Sequence, residues 1–233
     1  TPVIVKKNNG KTNYYWMGCF EPRADVEVKE TGSVGSLGSG DAPPKVSTFV
    51  PMDANSKSDP SFCPPPIASL TDDFSYLQKA ISNMTPQGST RLDMGVVAGW
   101  YALSPKWKGV WEDESAPADY DDSVHKVMVF MTDGEMNTKD DPKSKKQFDW
   151  LCSKDPDGCD DLATNVMQDT CSAMKKKDIE IFTLSYGKDA DVENIRKCAT
   201  STQHFYTASP ATIQSVYETI ASVIGADVVR LTQ

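Results

Sequence analysis

The chain has 233 residues, 39% of them hydrophobic and 24% charged, a balance that excludes wholesale disorder and fits a folded globular protein. Its formal net charge of −9 argues against nucleic acid as a partner, because a phosphate backbone selects basic surfaces. No stretch approaches the roughly 20 apolar residues that span a bilayer, so no membrane span is expected within these residues.

In chain order, Val3 to Phe20 alternates and breaks at Asn8-Asn9-Gly10, which predicts a hairpin. The Gly/Ser-rich run from Gly32 to Gly40 has no periodicity and predicts a loop-rich insertion, taken as residues 20–66, with Cys63-Pro64-Pro65-Pro66 as a stiff re-entry. Thr71 predicts a helix cap, with Asp72 and Asp73 in the first turn and Phe74, Leu77, Ile81 and Met84 on one face. Arg91 to Leu103 reads as a second helix, apolar nearly all round and hence buried. Gly95 and Gly99 in it predict close approach of a neighbouring backbone.

A loop rich in Trp and acidic residues then leads to a strand at His125–Thr132, and a charged loop covers 136–160. Helix Asp161–Lys177 ends in three lysines, which suit the negative end of its dipole. Strand Ile179–Leu184, a short helix near Asp191–Cys198 and strand His204–Thr207 follow. Ser209-Pro210 opens a last helix, with Ile213, Val216, Ile220 and Val223 on one face and a stop at Gly225. Val228–Leu231 reads as a closing strand. Strands alternating with helices imply one α/β domain over 1–233, doubly wound on a mostly parallel sheet.

The run Val127-Met128-Val129-Phe130-Met131-Thr132-Asp133-Gly134-Glu135 reads as a strand covered on both faces that delivers a carboxylate to the carboxyl edge of the sheet. Gly88-Ser89-Thr90 opens a helix upstream, so a hydroxyl and a carboxylate are expected to converge on one divalent cation. Mg²⁺ takes hard oxygen ligands and needs only one or two carboxylates, which makes Asp133 the first candidate ligand and Thr90 the second. A metal-free alternative is a capping box at Thr90-Arg91-Leu92-Asp93. Ser89 and Glu135 read as outer groups. Asp155, Asp157, Asp160 and Asp161 lack the spacing of a calcium loop. His125 and His204 read as structural, since no nucleophile elbow accompanies them.

The six cysteines, Cys19, Cys63, Cys152, Cys159, Cys171 and Cys198, form no C-x-x-C pair, and with only two histidines a zinc site is not expected. An even number favours disulfides and an oxidising compartment over buried cytosolic thiols. Cys152 and Cys159 flank a short turn; Cys19 and Cys63 flank the Gly/Ser-rich excursion.

Thr90 after Gly88-Ser89, followed by Phe130-Met131-Thr132-Asp133-Gly134-Glu135 at a strand end, resembles a von Willebrand factor A domain. Trp16-Met17-Gly18-Cys19, Phe62-Cys63-Pro64, Leu70-Thr71-Asp72-Asp73, Trp100-Tyr101-Ala102-Leu103-Ser104-Pro105 and Val229-Arg230-Leu231-Thr232 extend the likeness to the TadG-like pilus-assembly proteins of bacteria. That resemblance implies a non-catalytic, extracytoplasmic module for adhesion or scaffolding. It would lie in the periplasm or at the cell surface, be anchored by an upstream segment, and bind a pilus or envelope protein. It also implies Thr90 and Asp133 as positions of a metal-ion-dependent adhesion site, and the pairings Cys19–Cys63 and Cys171–Cys198, leaving Cys152–Cys159.

The family's Asp-x-Ser-x-Ser sequence is missing, so the site is partial and the domain is expected to lack its first strand and helix. The missing N-terminal segment is then itself a candidate partner for the strand that carries Asp133. The alternative is a metal-dependent hydrolase using Asp133, Glu135 and Asp140 or Asp141.

Overall fold

The structure is a computed structural model that describes residues 4–6, 13–15, 20–21, 50–51, 65–85, 90–112, 115–121, 123–136, 159–188 and 190–231. Strands β1 (Ile4–Lys6) and β2 (Asn13–Tyr15) pair antiparallel with Lys6 opposite Asn13, the predicted hairpin. Its turn residues, Asn8-Asn9-Gly10, lie outside the described residues. Strands β3 (Phe20–Glu21) and β4 (Val50–Pro51) also pair antiparallel, which sets residues from either side of the Gly/Ser-rich stretch next to each other. The stretch itself lies outside the described residues.

Helix α1 (Phe74–Ser82) is capped by Asp73 rather than Thr71. The Asp73 carboxylate accepts the Tyr76 N–H at 3.0 Å, while the Thr71 hydroxyl accepts the Asp73 N–H at 3.1 Å. Aspartate caps at least as well as threonine, and Thr71 serves to hold it. No residue of α1 is buried, and Phe74 is 83% exposed, so its apolar face is uncovered among the described residues.

Helix α2 (Leu92–Leu103) buries Leu92, Val96, Val97, Trp100 and Tyr101, as its all-round apolarity predicts. Its two glycines make room for side chains rather than for backbone. A Cβ at Gly99 would come 2.8 Å from Met128 Sδ, and one at Gly95 would come 3.5 Å from Phe130. A short 3-10 turn, Pro105–Trp107, then folds Trp107 onto Tyr101, with ring centres 4.3 Å apart.

The centre of the described fold is a parallel sheet of β5 (Val127–Thr132), β6 (Glu180–Tyr186) and β7 (Phe205–Ala208), in that order. Val127 lies opposite Glu180 and Thr132 opposite Ser185. Helix α3 (Cys159–Lys175) connects β5 to β6, and α4 (Val192–Cys198), capped by Asp191, connects β6 to β7. Met128 and Ile181 share one core with Trp100 of α2 and with Met167, Cys171 and Met174 of α3, so these helices cover one face. Phe182 and Leu184 of β6 alternate to the other face and are fully buried there.

The last helix, α5 (Ile213–Leu231), overturns two expectations. It runs through Gly225, and it absorbs the residues expected to form a closing strand. A helical glycine costs only about 1 kcal/mol relative to alanine, too little to end a helix that is already propagating. Its Tyr217 hydroxyl lies 3.3 Å from Met131 Sδ. Strand β5 differs from its sequence reading in another way. Met128 and Thr132 are buried, but Val129 and Met131 are 39% and 46% exposed, so one face is only partly covered. Among the described residues β5 has a strand on one side alone, which leaves it at the sheet edge.

The architecture is therefore α/β with a small parallel sheet. Cys171 of α3 and Cys198 of α4 form a buried disulfide with Cα atoms 5.2 Å apart, the pairing that the resemblance implied. Cys19, Cys63 and Cys152 lie outside the described residues, as does the side chain of Cys159. With a sequence separation of 27, the loop-entropy relation gives about 3.5 kcal/mol for the bridge. Cys171→Ala/Cys198→Ala is expected to lose stability of that order in urea unfolding relative to the oxidised wild type.

Candidate metal centre

The Thr132 side chain builds the turn that presents Asp133. Its hydroxyl accepts the Gly134 N–H at 3.2 Å and donates to the Gly134 carbonyl at 3.1 Å, folding the chain as it leaves β5. Thr132 is 6% exposed while Asp133 and Glu135 are exposed, so the strand ends in a buried fastener with carboxylates projecting beyond it.

Thr90 stands beside this turn. A Cβ built on Gly134 would lie 3.6 Å from Thr90 Oγ1, ordinary van der Waals contact. The adjoining backbone agrees, since the Leu92 N–H points to Met136 Sδ at 3.3 Å and so joins the start of α2 to the chain after β5. The threonine and aspartate loops are thus neighbours at the carboxyl end of the sheet. Ser89, Asp140 and Asp141 lie outside the described residues.

Capping of α2 differs from its sequence reading. The cap position is Arg91, whose side chain makes no capping hydrogen bond. The Asp93 carboxylate, fully buried, is instead gripped by Arg91 through Nε at 2.8 Å and through a second, shorter contact from Nη2. A two-pronged guanidinium contact outcompetes a single backbone N–H for a buried carboxylate, which explains why the box does not form.

Among the described residues the oxygen groups at the turn are the Asp133 carboxylate, with the neighbouring Thr90 hydroxyl and, one residue beyond Gly134, Glu135. This fits Mg²⁺, which keeps several waters and binds few carboxylates. Among the described residues no group of three or more His, Cys, Asp or Glu side chains can hold a metal ion.

A second polar cluster lies at the other end of the sheet, and sequence reasoning missed it. Glu180, the first residue of β6, accepts a hydrogen bond from His204 Nε2 at 2.5 Å. His125 Nε2 sits 2.9 Å from its other oxygen, close enough for ion pairing but not aligned as a hydrogen bond. His204 Nδ1 is 2.7 Å from the Ser201 hydroxyl, which also accepts the Gln203 N–H and so caps a 3-10 turn, Thr202–His204. Both histidines are therefore structural, as their positions at strand starts implied. The signal available in the sequence was that Glu180 also opens a strand, and strand starts share one edge of a parallel sheet. Removing this acceptor strands a part-buried N–H. Glu180→Ala is thus expected to cost about 1–3 kcal/mol in urea unfolding.

No family model and no curated protein matches the chain. Among solved structures, proximal thread matrix protein 1 from the mussel byssus aligns with a TM-score of 0.37 at 14% identity, over 61% of this chain and 28% of that one. A likeness that distant assigns neither family nor function.

Proposed function

We propose that the chain is a non-catalytic, extracytoplasmic protein-binding module of the TadG-like von Willebrand A type, serving adhesion or scaffolding in bacterial pilus assembly. The observation that carries this reading is the contact between Thr90 and the Asp133-Gly134 turn at the carboxyl end of the sheet. Asp133 and Thr90 would hold Mg²⁺ or another divalent cation, and the cation would supply a Lewis-acid contact for a carboxylate of the partner protein. The protein's own contribution is to fix the two donors, through the Thr132 hydroxyl on one loop and the start of α2 on the other.

Two further features support the reading. The buried Cys171–Cys198 disulfide suits an oxidising compartment. The open side of β5 offers a partner an edge onto which an extended segment can add.

Calorimetric titration with Mg²⁺ and Mn²⁺ tests the site. Wild-type protein should bind in the millimolar range or tighter, and Asp133→Ala should weaken binding by about tenfold or more. Thr90→Val should weaken it less. Equal binding by wild type and Asp133→Ala would remove the metal from the proposal. Hydrolysis of a phosphoester that disappears in Asp133→Ala would replace the module with a hydrolase.

A further inference from the structure

A cavity of about 250 Å³ opens between the stretch that leads into β5 and the turn that joins α3 to β6. It lies at the amino end of the sheet, away from Asp133. Its lining includes Lys126, Lys176 and Lys177, the Tyr120 ring, and the carboxylates of Asp121 and Asp178. Among the described residues that line it, three positive groups stand against two negative ones, on a chain whose net charge is −9.

Lys126 is the unusual member. It is 6% exposed, and its ammonium donates to the Leu103 carbonyl at 2.9 Å and the Ala118 carbonyl at 2.7 Å. An ammonium carries three N–H groups, so one remains for the cavity that Lys126 lines. Burial pulls its pKa below the ordinary lysine value, an effect that the charge of Asp119 opposes and that of Lys108 reinforces. Among the described residues no carboxylate reaches ion-pair distance of Lys126, Lys176 or Lys177.

The surroundings keep these charges together. Lys126 Nζ and Lys177 Nζ stand 5.4 and 5.7 Å from the centre of the same Tyr120 ring. Ring attraction of this kind is modest, and the two cations repel each other. The turn that carries Lys176 and Lys177 is fixed by hydrogen bonds from Asp178 N–H to the Lys175 carbonyl and from Ile179 N–H to the Met174 carbonyl. Asp178 takes a left-handed backbone, φ 55°, to close it. Asp121 is engaged elsewhere. It accepts both the N–H and the hydroxyl of Ser123, and those bonds hold its carboxyl below the usual range.

We propose that this cavity binds a small tetrahedral oxyanion, phosphate or sulfate, either free or as the terminal ester of a larger molecule. Lys126 supplies a buried N–H, and Lys176 and Lys177 approach from the exposed turn. A tetrahedral anion offers acceptor oxygens in several directions, which suits donors that arrive from separate elements. At roughly 30 Å³ per water the cavity has space for an oxyanion with part of its hydration shell, and it falls below the usual 300–1,000 Å³ of pockets for larger ligands.

Titration of the folded chain with inorganic phosphate, sulfate and glycerol 3-phosphate, followed by calorimetry and amide NMR shifts, tests the site. Binding should be millimolar or tighter, and Lys176→Gln/Lys177→Gln should weaken it by about tenfold or more. Both of those side chains are exposed, so the double variant should melt as the wild type does. Lys126→Met should abolish binding. Tighter binding of the ester than of phosphate would identify an esterified ligand, and equal binding the free ion. No binding of any of the three anions, or unchanged affinity in the double variant, overturns the proposal. Asp133→Ala should bind these anions normally, so a failed metal titration leaves this test standing.

Discussion

Strand β6 constrains most of what surrounds it. Among the described residues it is the one strand of the parallel sheet with neighbours on both edges, and its residues from Ile181 to Ser185 are buried. Parallel neighbours must be reached by crossovers, so α3 and α4 lie against the sheet on either side of β6 in sequence. The disulfide then ties those two helices together at buried positions. Lys175 adds to this tie. Its ammonium donates to the Lys197 and Ala199 carbonyls at the end of α4, where the helix dipole is negative. Burial lowers the pKa of that lysine.

Parallel pairing also separates two kinds of chemistry. All strands start at one edge and end at the other, so residues far apart in sequence gather according to their place along a strand. At the finishing edge, Thr132 turns the chain outward and Asp133 is left in solvent beside Thr90. At the starting edge, His125, Glu180 and His204 meet because each stands at the head of its strand. The lysine-lined cavity lies at this same edge, where the Glu180 N–H donates to the Lys126 carbonyl at 2.9 Å. One end thus presents oxygen donors and the other a concentration of nitrogen.

The helices of the sheet region and its three strands were legible because their apolar periods are long, and their ends fell within a few residues of the sequence reading. The closing strand was misread because Val228 and Val229 carry β propensity and Gly225 looks like a stop. Neither outweighs the cooperativity of a helix that began at Ile213. The glycines of α2 were expected to admit a neighbouring backbone, but Gly99 instead admits the Met128 side chain and Gly95 makes only ordinary contact with Phe130. At the candidate site, motif order led to the expectation that the Thr90 and Asp133 loops meet, and Thr90 does lie beside Gly134. The Arg91–Asp93 grip was not foreseen, since the same aspartate stands at the three-residue spacing of a capping box from Thr90. The Glu180 cluster depends on sheet register, which no local pattern encodes.

The energetics of β5 bear on what the protein meets. Its sequence is apolar enough for burial on both faces, yet Val129 and Met131 remain substantially exposed, and one edge has no strand beside it among the described residues. Fully burying an aliphatic side chain is worth about 1.5–3 kcal/mol, so covering what remains exposed of these two would gain about 1–2.5 kcal/mol. An added strand would also pair backbone groups that now face away from the sheet, and long apolar edges left open invite association. The same strand ends in Asp133. A segment seated along β5 would therefore run toward the turn that carries Asp133.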